Sequence, residues 1–507
     1  MNHKVNAWAV GLFVWIGACL QGYFYETGYL VMTGIAAAIA LIVVWRRKTI
    51  PFHPMYHLPI FLLVALYGGS ILYALDGEAA LLEAMKVTSL IPLSILTLTI
   101  PDVQRPGIYK AWVWSGVFVA VLGILFHMDR KGRLESTFEY ANALAIYLLV
   151  ALFLAIFLYL KFKGKTYFVL MAILSSGLLL TMSRSVWVLW GMALLIGLMM
   201  FREARARPVL SGVAVAHISG YLIAAAVRTD FLFWWQRVKS IQPETSEFRI
   251  RLVYWKDSLS IVRDFWLGGT GGGGWSVLLT QYRSQLYYVR YVHNHYIQLA
   301  LDAGIIGLIV FLLAIAAFYW TGLRQIRSKG ASQESVFWMK AAMLLAGVML
   351  LHAGFDFDLE FPLLLGLLFF VMSAPYATGK KEIAKPIWSK AKMRVAVPLA
   401  TVVTVPVVAF MLWLGAGYGF KERAIQLADM KEWEQAQASF ERSSAMIPWS
   451  HTIHYESAKA WVRQSNETGD LRSLELASEE LSQAMRRVPK EDLYQSLRID
   501  INKALAK

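Results

Sequence analysis

Apolar stretches long enough to cross a lipid bilayer recur along the chain from residue 7 to residue 415. A membrane-spanning helix needs about 20 predominantly apolar residues, and it satisfies its own backbone hydrogen bonds inside the bilayer. The stretches fall at 7–25, 28–45, 58–75, 85–100, 109–127, 138–160, 166–182, 185–201, 209–227, 293–320, 337–354, 360–376 and 395–415. This pattern predicts an all-α, polytopic transmembrane helical bundle of about 12 or 13 spans over residues 1–415.

Lysine and arginine concentrate on alternate connections between these stretches, at 46–48, 161–165, 202–207, 324–329 and 380–394. The opposite connections carry acidic residues, among them Glu26, Asp76 and Asp356. By the positive-inside rule this alternation predicts a cytoplasmic N-terminus, with the long connection 228–292 and the C-terminal region outside. The basic connection 129–135 falls on the predicted outer side and departs from the rule.

Composition changes the picture in two respects. The chain is 57% hydrophobic and 16% charged, which excludes a large soluble enzyme. Its net charge of +15 is explained largely by the basic cytoplasmic connections, so it does not indicate a nucleic-acid partner. The single cysteine, Cys19, excludes a disulfide within the chain.

The connection 228–292 is too aromatic for a solvated linker, and long connections inside compact proteins are usually functional or disordered. It contains nine Lys and Arg residues, including Arg249 and Arg251, against five Asp and Glu residues. Arginines on the outer side indicate an anionic ligand, because a guanidinium group binds two phosphate oxygens at once. The alternative is that long loops cross the membrane whatever their charge, and that some of these arginines are simply solvated.

Polar residues also collect at the predicted outer ends of several spans, which favours a substrate site just beneath the outer interface. Arg184 lies between two spans, where ionisable residues are rarely without a function. The other candidates are Tyr140 and Asn142 at the sixth span, His293, Asn294 and His295 at the tenth, and the segment 352–356. Asp302 lies two helical turns after His295 and either orients it or pairs with a neighbouring helix. Ordinary helix capping and interfacial anchoring are the alternative for this group.

No metal or other cofactor is predicted. His293 and His295 are two residues apart, which on a helix directs them about 200° apart, and no zinc-binding motif accompanies them. A helix N-terminus there would instead favour an anion. The glycine run at 268–274 lacks the context of a nucleotide-binding loop, so we interpret it as a hinge or an anion-binding turn, with the hinge favoured.

Residues 416–507 have the composition of a soluble helical domain. An alanine precedes a large apolar residue by four positions and a proline by twelve in two places, Ala436–Phe440–Pro448 and Ala477–Leu481–Pro489. This spacing resembles the second helix of tetratricopeptide repeats, and a plain helical hairpin is the alternative. Because fewer than three repeats rarely stand alone, we expect the segment to dock on the membrane part or on a protein partner.

Five motifs occur in an order that resembles the O-antigen ligase and O-antigen polymerase superfamily, over roughly residues 130–320. They are TFEYANALA at 137–145, SRS at 183–185, RLVYW at 251–255, the glycine run, and HNHYIQLALDAGIIG at 293–307. The resemblance implies transfer of a glycan from undecaprenyl diphosphate to a glycan or lipid acceptor, on the outer face of the cytoplasmic membrane. Asp302 stands where the family often has Glu.

The resemblance also implies residue roles. Arg184 and Arg251 match the family arginines that hold the diphosphate, and Arg249 could share this role. His293 matches the histidine that activates the acceptor hydroxyl. If arginines neutralise the diphosphate, the reaction needs no metal.

Three other functions stay open at this point. A transporter of lipid-linked glycan or polysaccharide would also have a dozen spans, but it would place polar residues along a path through the membrane. An O-oligosaccharyltransferase would transfer the glycan to a protein. A membrane-anchored scaffold acting through residues 416–507 would leave Arg184 and His293 without a role.

Overall fold

The computed structural model describes residues 3–239, 247–377 and 390–506. Parts of the predicted outer connection (240–246) and of the predicted basic connection (378–389) lie outside the described residues. The regular secondary structure of the described residues is helical except for a short antiparallel pair, β1 (Asp129–Arg130) and β2 (Arg133–Leu134). The prediction of an all-α fold is therefore confirmed apart from this pair.

The first ten α-helices are α1 (His3–Cys19), α2 (Glu26–Arg47), α3 (Pro54–Ser70), α4 (Gly77–Thr88), α5 (Leu90–Leu98), α6 (Arg105–Leu125), α7 (Ala141–Phe162), α8 (Thr166–Leu180), α9 (Arg184–Met200) and α10 (Arg207–Arg228). The others are α11 (Phe233–Lys239), α12 (Glu247–Asp264), α13 (Gly274–Tyr282), α14 (His295–Arg327), α15 (Gln333–Ala353), α16 (Pro362–Met372), α17 (Lys390–Asp429), α18 (Trp433–Met446), α19 (His451–Thr468), α20 (Leu471–Arg487) and α21 (Asp492–Leu505). Short 3₁₀ turns occur at Gln21–Tyr23, Asp102–Gln104, Ser136–Phe138, Arg202–Arg205, Asp358–Glu360 and Ala374–Tyr376.

Eight helical segments of the described chain are long and apolar enough to cross a membrane. They are α2, α4 with α5, α6 with the turn before it, α7, α10, α14, α15 and residues Arg394–Asp429 of α17. Four shorter apolar helices, α1, α8, α9 and α16, accompany them. The chain is therefore a multi-pass membrane protein, as predicted, while the total of 12 or 13 spans stays a prediction.

Helix α7 forms the centre of the bundle. Its most apolar window is 94% buried within the protein, whereas the corresponding window of α10 is 28% buried. Nearly every residue of α7 is apolar, and a helix that is hydrophobic on all sides is one that neighbours surround. It packs against α6, α8, α9 and α15. This fixed central helix carries Tyr140 and Asn142 at its N-terminal end.

In the described residues of the connection 228–292, the chain forms three helices, α11, α12 and α13. Helices α12 and α13 share a small core that includes Tyr254, Ile261 and Trp275, and this core also contains Leu301 of α14. The aromatic residues that made this connection unusual in the sequence are thus, in part, the core that fastens it to the membrane helices.

The glycine run closes a break in α14. Gly304 has φ 68° and ψ −176°, which interrupts the helix and exposes its carbonyl groups. Thr270 N donates to Leu301 O at 2.7 Å, Gly271 N donates to Asp302 O at 3.1 Å, and Ile305 N donates to Trp266 O at 2.8 Å. These bonds tie the run to α14. Its role as a hinge or an anion-binding turn stays a prediction.

The C-terminal helices pack against the membrane part. Helix α18 packs on α17, α19 packs on α20, and α20 packs on α21. His451, at the start of α19, lies 3.0 Å from Asp76, and Arg283 of the α13 end lies 3.1 Å from Asp492. The predicted division between residues 1–415 and 416–507 falls inside the continuous helix α17. The domain division and the tetratricopeptide-like character stay predictions.

Candidate active site

Asp356 is the centre of a buried hydrogen-bond cluster in the connection between α15 and α16. Its side chain has no exposed surface. Oδ1 accepts from Tyr140 Oη at 2.8 Å, Phe357 N at 2.9 Å and His293 Nδ1 at 3.0 Å, and Oδ2 accepts from Asn142 Nδ2 at 2.5 Å and Arg251 Nη2 at 3.2 Å. Four predicted site residues, Tyr140, Asn142, Arg251 and His293, therefore meet at one carboxylate.

The charges around Asp356 keep it ionised. Burial alone would raise the pKa of this carboxyl, but Arg251 and His293 outweigh that effect and hold its pKa well below the usual range. In return, Asp356 raises the pKa of Arg251 against the opposing effect of burial. Arg251 also donates to the carbonyl oxygen of Phe355. The guanidinium group is thereby fixed at two points of the connection between α15 and α16.

His293 lies just before α14 and not within it. Its φ is 56°, Asn294 is the N-cap, and the helix begins at His295. The predicted angle of about 200° between the two side chains assumed a helix through both residues and therefore does not apply. The ring of His293 is held by Asp356 at Nδ1 and by edge contact with Phe357, at 4.9 Å between ring centroids. A carboxylate at Nδ1 favours a proton on that nitrogen, which leaves Nε2 to accept another.

A group of arginines surrounds a second carboxylate, that of Glu247 at the start of α12. Arg184 Nη2 lies 3.4 Å and Arg237 Nη2 lies 3.6 Å from its oxygens. Burial opposes ionisation, yet Arg237, Arg133, Arg184 and Arg251 together lower the pKa of Glu247. This arrangement concentrates positive charge beside the Asp356 cluster.

Arg133 joins the two groups, although the sequence analysis did not select it. Its Nη2 donates to Asn142 Oδ1 at 2.6 Å, and its Nε donates to Thr181 O at 3.0 Å. Asn142 in turn donates to Asp356. The signal in the sequence was the basic connection 129–135, which departed from the positive-inside rule. Arg237 was also missed as a site residue, whereas Asp356 lies in the predicted candidate segment 352–356.

Asn294 is used as a helix cap. Its side-chain oxygen accepts from Tyr296 N at 3.0 Å and Ile297 N at 3.1 Å, as an N-cap asparagine does. Its side-chain nitrogen donates to Gly354 O at 2.9 Å. Asn294 thus fastens the start of α14 to the end of α15, and the capping alternative describes it better than direct substrate binding.

His295 and Asp302 belong to a separate buried network. His295 Nδ1 lies 3.3 Å from Glu360, which also pairs with Lys86 at 3.0 Å. Asp302 accepts from Gln298 at 3.0 Å and from Tyr67 of α3 at 3.4 Å. Asp302 therefore pairs with a neighbouring helix, the second of the two alternatives, and these contacts are not with His295.

Arg249 is an exposed residue of α12, two positions before Arg251, and it is not one of the five donors to Asp356. Among the residues that the structure describes, no group of three or more His, Cys, Asp and Glu is arranged to hold a metal ion. Two cavities adjoin the cluster. One of about 370 Å³ is lined in part by Tyr140 and Phe357, and one of about 870 Å³ is lined in part by Tyr291 and Lys86.

Comparison with known proteins finds a family match for one part of the chain. No curated protein matches it. Residues 167–312 match the family model described as O-antigen ligase. That segment contains Arg184, Arg251 and His293, while Asp356 lies beyond its end. The match confirms the similarity of residues 167–312 to the O-antigen ligase superfamily, whose members are glycosyltransferase-type membrane enzymes acting on lipid-linked glycans.

Proposed function

We propose that this protein moves a glycan from undecaprenyl diphosphate to a glycan or lipid acceptor at the outer face of the cytoplasmic membrane, without a metal. The observation that carries the proposal is the Asp356 cluster, because one buried carboxylate holds both Arg251 and His293 beside a group of arginines. A reaction of this type needs a cationic site for the departing diphosphate and a base for the acceptor hydroxyl.

The arginines supply the diphosphate site in this proposal. Arg184 and Arg237 pair with Glu247, whose side chain is about half exposed. An entering diphosphate carries more negative charge than one carboxylate, and bidentate contacts favour it further. Glu247 would then leave the arginines, and Arg251 would complete the site from its fixed position on Asp356.

His293 is the proposed base. With the Nδ1 proton directed to Asp356, Nε2 takes the proton from the acceptor hydroxyl as its oxygen attacks the anomeric carbon of the donor. The bond between that carbon and the diphosphate oxygen breaks, and the diphosphate leaves with the electron pair. The positive charge that develops on His293 is stabilised by Asp356.

Arginine substitutions test the diphosphate site. Arg184→Ala and Arg251→Ala should each lower glycan transfer by about 10²–10³-fold, because a buried charge-assisted contact to the leaving group is lost. Arg251→Lys should rescue transfer poorly, since an ammonium group cannot make the bidentate contact. The measurement is transfer from a purified undecaprenyl-diphosphate-linked glycan by protein reconstituted in liposomes.

Arg263→Ala is the matched control, because Arg263 lies on the same helix as Arg251 with its side chain 80% exposed. We expect it to transfer glycan as the wild type does. Near-normal transfer by both Arg184→Ala and Arg251→Ala would contradict the proposed diphosphate site.

A deletion strain separates the proposed transferase from the other functions. Loss of long surface polysaccharide with intact short lipid-linked units indicates transfer between glycans or to a lipid. Loss of glycan from proteins alone indicates an O-oligosaccharyltransferase. Retention of lipid-linked units on the cytoplasmic side indicates a transporter. An unchanged glycan profile indicates a membrane-anchored scaffold.

A further inference from the structure

A cavity of about 870 Å³ lies where the membrane helices meet the C-terminal helices. Tyr29 of α2 and Lys86 of α4 line it from the membrane part, and Tyr455 of α19 and Glu491, just before α21, line it from the C-terminal part. Cavities of this size hold ligands of several rings. The C-terminal helices are thus a wall of the cavity.

The cavity is acidic, in contrast to the arginine group beside Asp356. Ten carboxylate side chains line it, against two lysines, one arginine and His451. Like charges repel strongly in a confined site, so this lining excludes a diphosphate, a phosphorylated lipid headgroup or a uronate. It accepts a ligand that is neutral or carries amino groups.

Glu491 is a buried residue on the cavity wall to which the proposed mechanism gives no role. The residue is 6% exposed, and among the described parts of the chain its carboxylate has no hydrogen-bond or ion-pair partner. Burial, and then repulsion by Asp76, raise the pKa of Glu491 to about 7. A carboxylate that borders a cavity can accept hydrogen bonds from the hydroxyl groups of a ligand.

Aromatic rings complete the lining. Tyr288, Tyr291 and Tyr455 all border the cavity. A tyrosine ring offers an apolar face with a polar tip, which suits a ligand that has both C–H faces and hydroxyl groups. Carboxylates accept hydrogen bonds from sugar hydroxyl groups, and aromatic ring faces pack against sugar C–H groups. The two features together indicate a site for a sugar chain.

The cavity lies close to the Asp356 cluster, although no residue of the cluster lines it. Tyr291 stacks on Phe357 at 5.1 Å between ring centroids, and Phe357 also makes the edge contact with His293. The smaller pocket beside Tyr140 shares Phe24, Tyr25 and Glu139 with the large cavity. A chain lying in the cavity would therefore end near the proposed base.

We propose that this cavity binds the acceptor as an uncharged or amino-bearing glycan chain, and that the C-terminal helices contribute Tyr455 and Glu491 to its recognition. The identification of the ligand as the acceptor rests on the proposed function, whereas its identification as a sugar of this class rests on the lining of the cavity. A phosphorylated or uronate-rich acceptor is excluded by the same carboxylates.

The test is equilibrium binding of soluble oligosaccharides of equal length to the full-length protein in lipid nanodiscs. A neutral and a glucosamine-containing oligosaccharide should bind, and a uronate oligosaccharide should not. Glu491→Gln and Tyr455→Ala should each weaken binding of the neutral oligosaccharide by about tenfold, the loss expected for one hydrogen bond to a charged group or one ring contact. Binding of inorganic pyrophosphate by the same preparations should be unchanged, which also shows that the variants are folded.

Glu480→Gln is the matched control, because Glu480 lies in the C-terminal helices and pairs with His454 away from the cavity. It should bind both probes as the wild type does. Equal binding of the uronate and neutral oligosaccharides, or unaltered binding by Glu491→Gln and Tyr455→Ala, overturns the inference. Selective sugar binding with no glycan transfer would instead contradict the proposed function and leave the sugar site standing.

Discussion

At the scale of single residues, Asp356 holds both an arginine of the proposed diphosphate site and the proposed base. It binds Arg251 through one oxygen and His293 through the other. A buried ionised carboxylate is tolerated only when donors surround it, and five do so here. Any change that moves one donor therefore shifts the groups that share the carboxylate.

The two histidines give the first prediction at this scale. His293→Ala should lower transfer by about 10²–10⁴-fold, the usual contribution of a general base, while binding of the lipid-linked donor persists. His295→Ala should be milder, because His295 faces Glu360 in the separate network. Donor binding and turnover are measured separately for both variants. An essential His295 with a dispensable His293 would show that the roles are assigned to the wrong histidine.

The sequence supplied most members of this site but not the way in which they join. Tyr140, Asn142, Arg251 and His293 were selected because they lie in motifs or at span ends. Asp356 is 63 residues from His293 and lies in the candidate segment 352–356 at a span end, so the sequence placed it near the site, and only folding reveals that it joins the other four. Asn294 was selected by the same reasoning and is a helix cap, because capping and substrate binding favour the same residue types at a helix start.

At the scale of elements, the glycine run and the break in α14 form one structure. Gly304 has a backbone conformation that is essentially restricted to glycine. A Cβ atom there would lie 2.1 Å from Leu267 O, and one at Gly269 would lie 2.5 Å from Leu301 O. The two backbones approach this closely because neither carries a side chain at the contact. The sequence showed a glycine-rich run of seven residues, but it did not show that the run packs against the break in α14.

Gly304→Ala should destabilise the protein. The strained backbone alone costs about 1–3 kcal/mol, and the clash with a backbone carbonyl adds to it. The control is Gly191→Ala in α9, where an added Cβ meets no atom within 4 Å. Thermal unfolding in detergent should show a lower Tm for Gly304→Ala and an unchanged or slightly higher one for Gly191→Ala. Equal Tm values for the two variants would mean that the break in α14 is not a stabilising feature.

The elements that hydropathy predicts and those that it misses differ in physical origin. Each predicted apolar stretch overlaps a helix, because the bilayer requires long apolar helices whatever they pack against. Helices α11, α12 and α13 were predicted as one loop because they lack long apolar stretches. The aromatic residues of α12 and α13 instead form a small core of their own. The two-residue strands β1 and β2 are too short to leave a pattern.

At the scale of the whole molecule, the connections assigned to one side of the membrane contact one another. Glu26 pairs with Lys421, Asp76 with His451, and Arg251 with Asp356. The C-terminal helices and the connection 228–292 thus meet the same end of the bundle. The prediction that they share a side is consistent with these contacts, and the direction of insertion stays a prediction.

The junction between the C-terminal helices and α4 gives a prediction about pH. His451 Nε2 lies 3.0 Å from Asp76 and 3.4 Å from Glu78, and its Nδ1 meets Tyr494. Burial opposes protonation, but these carboxylates and Glu491 raise the pKa of His451 above its usual 6.5. The pKa of Glu491 is itself raised to about 7.

Both pKa shifts weaken the contact between the C-terminal helices and α4 as pH rises. A histidine with a raised pKa contributes its full stabilisation below 6.5 and loses it as pH passes its folded pKa. A carboxyl whose pKa rises from 4.5 to about 7 loses its contribution as pH rises between those values. Hydrogen exchange of α19–α21, corrected for the intrinsic effect of pH, should show greater protection at about pH 5.5 than at about pH 8.5, because the interval includes the pKa of Glu491 at about 7 and extends above 6.5, where the contribution of His451 begins to fall. His451→Gln should reduce this difference, whereas His454→Gln, which faces Glu480, should keep it. Equal protection of the wild type at both pH values would show that the junction does not depend on these two groups.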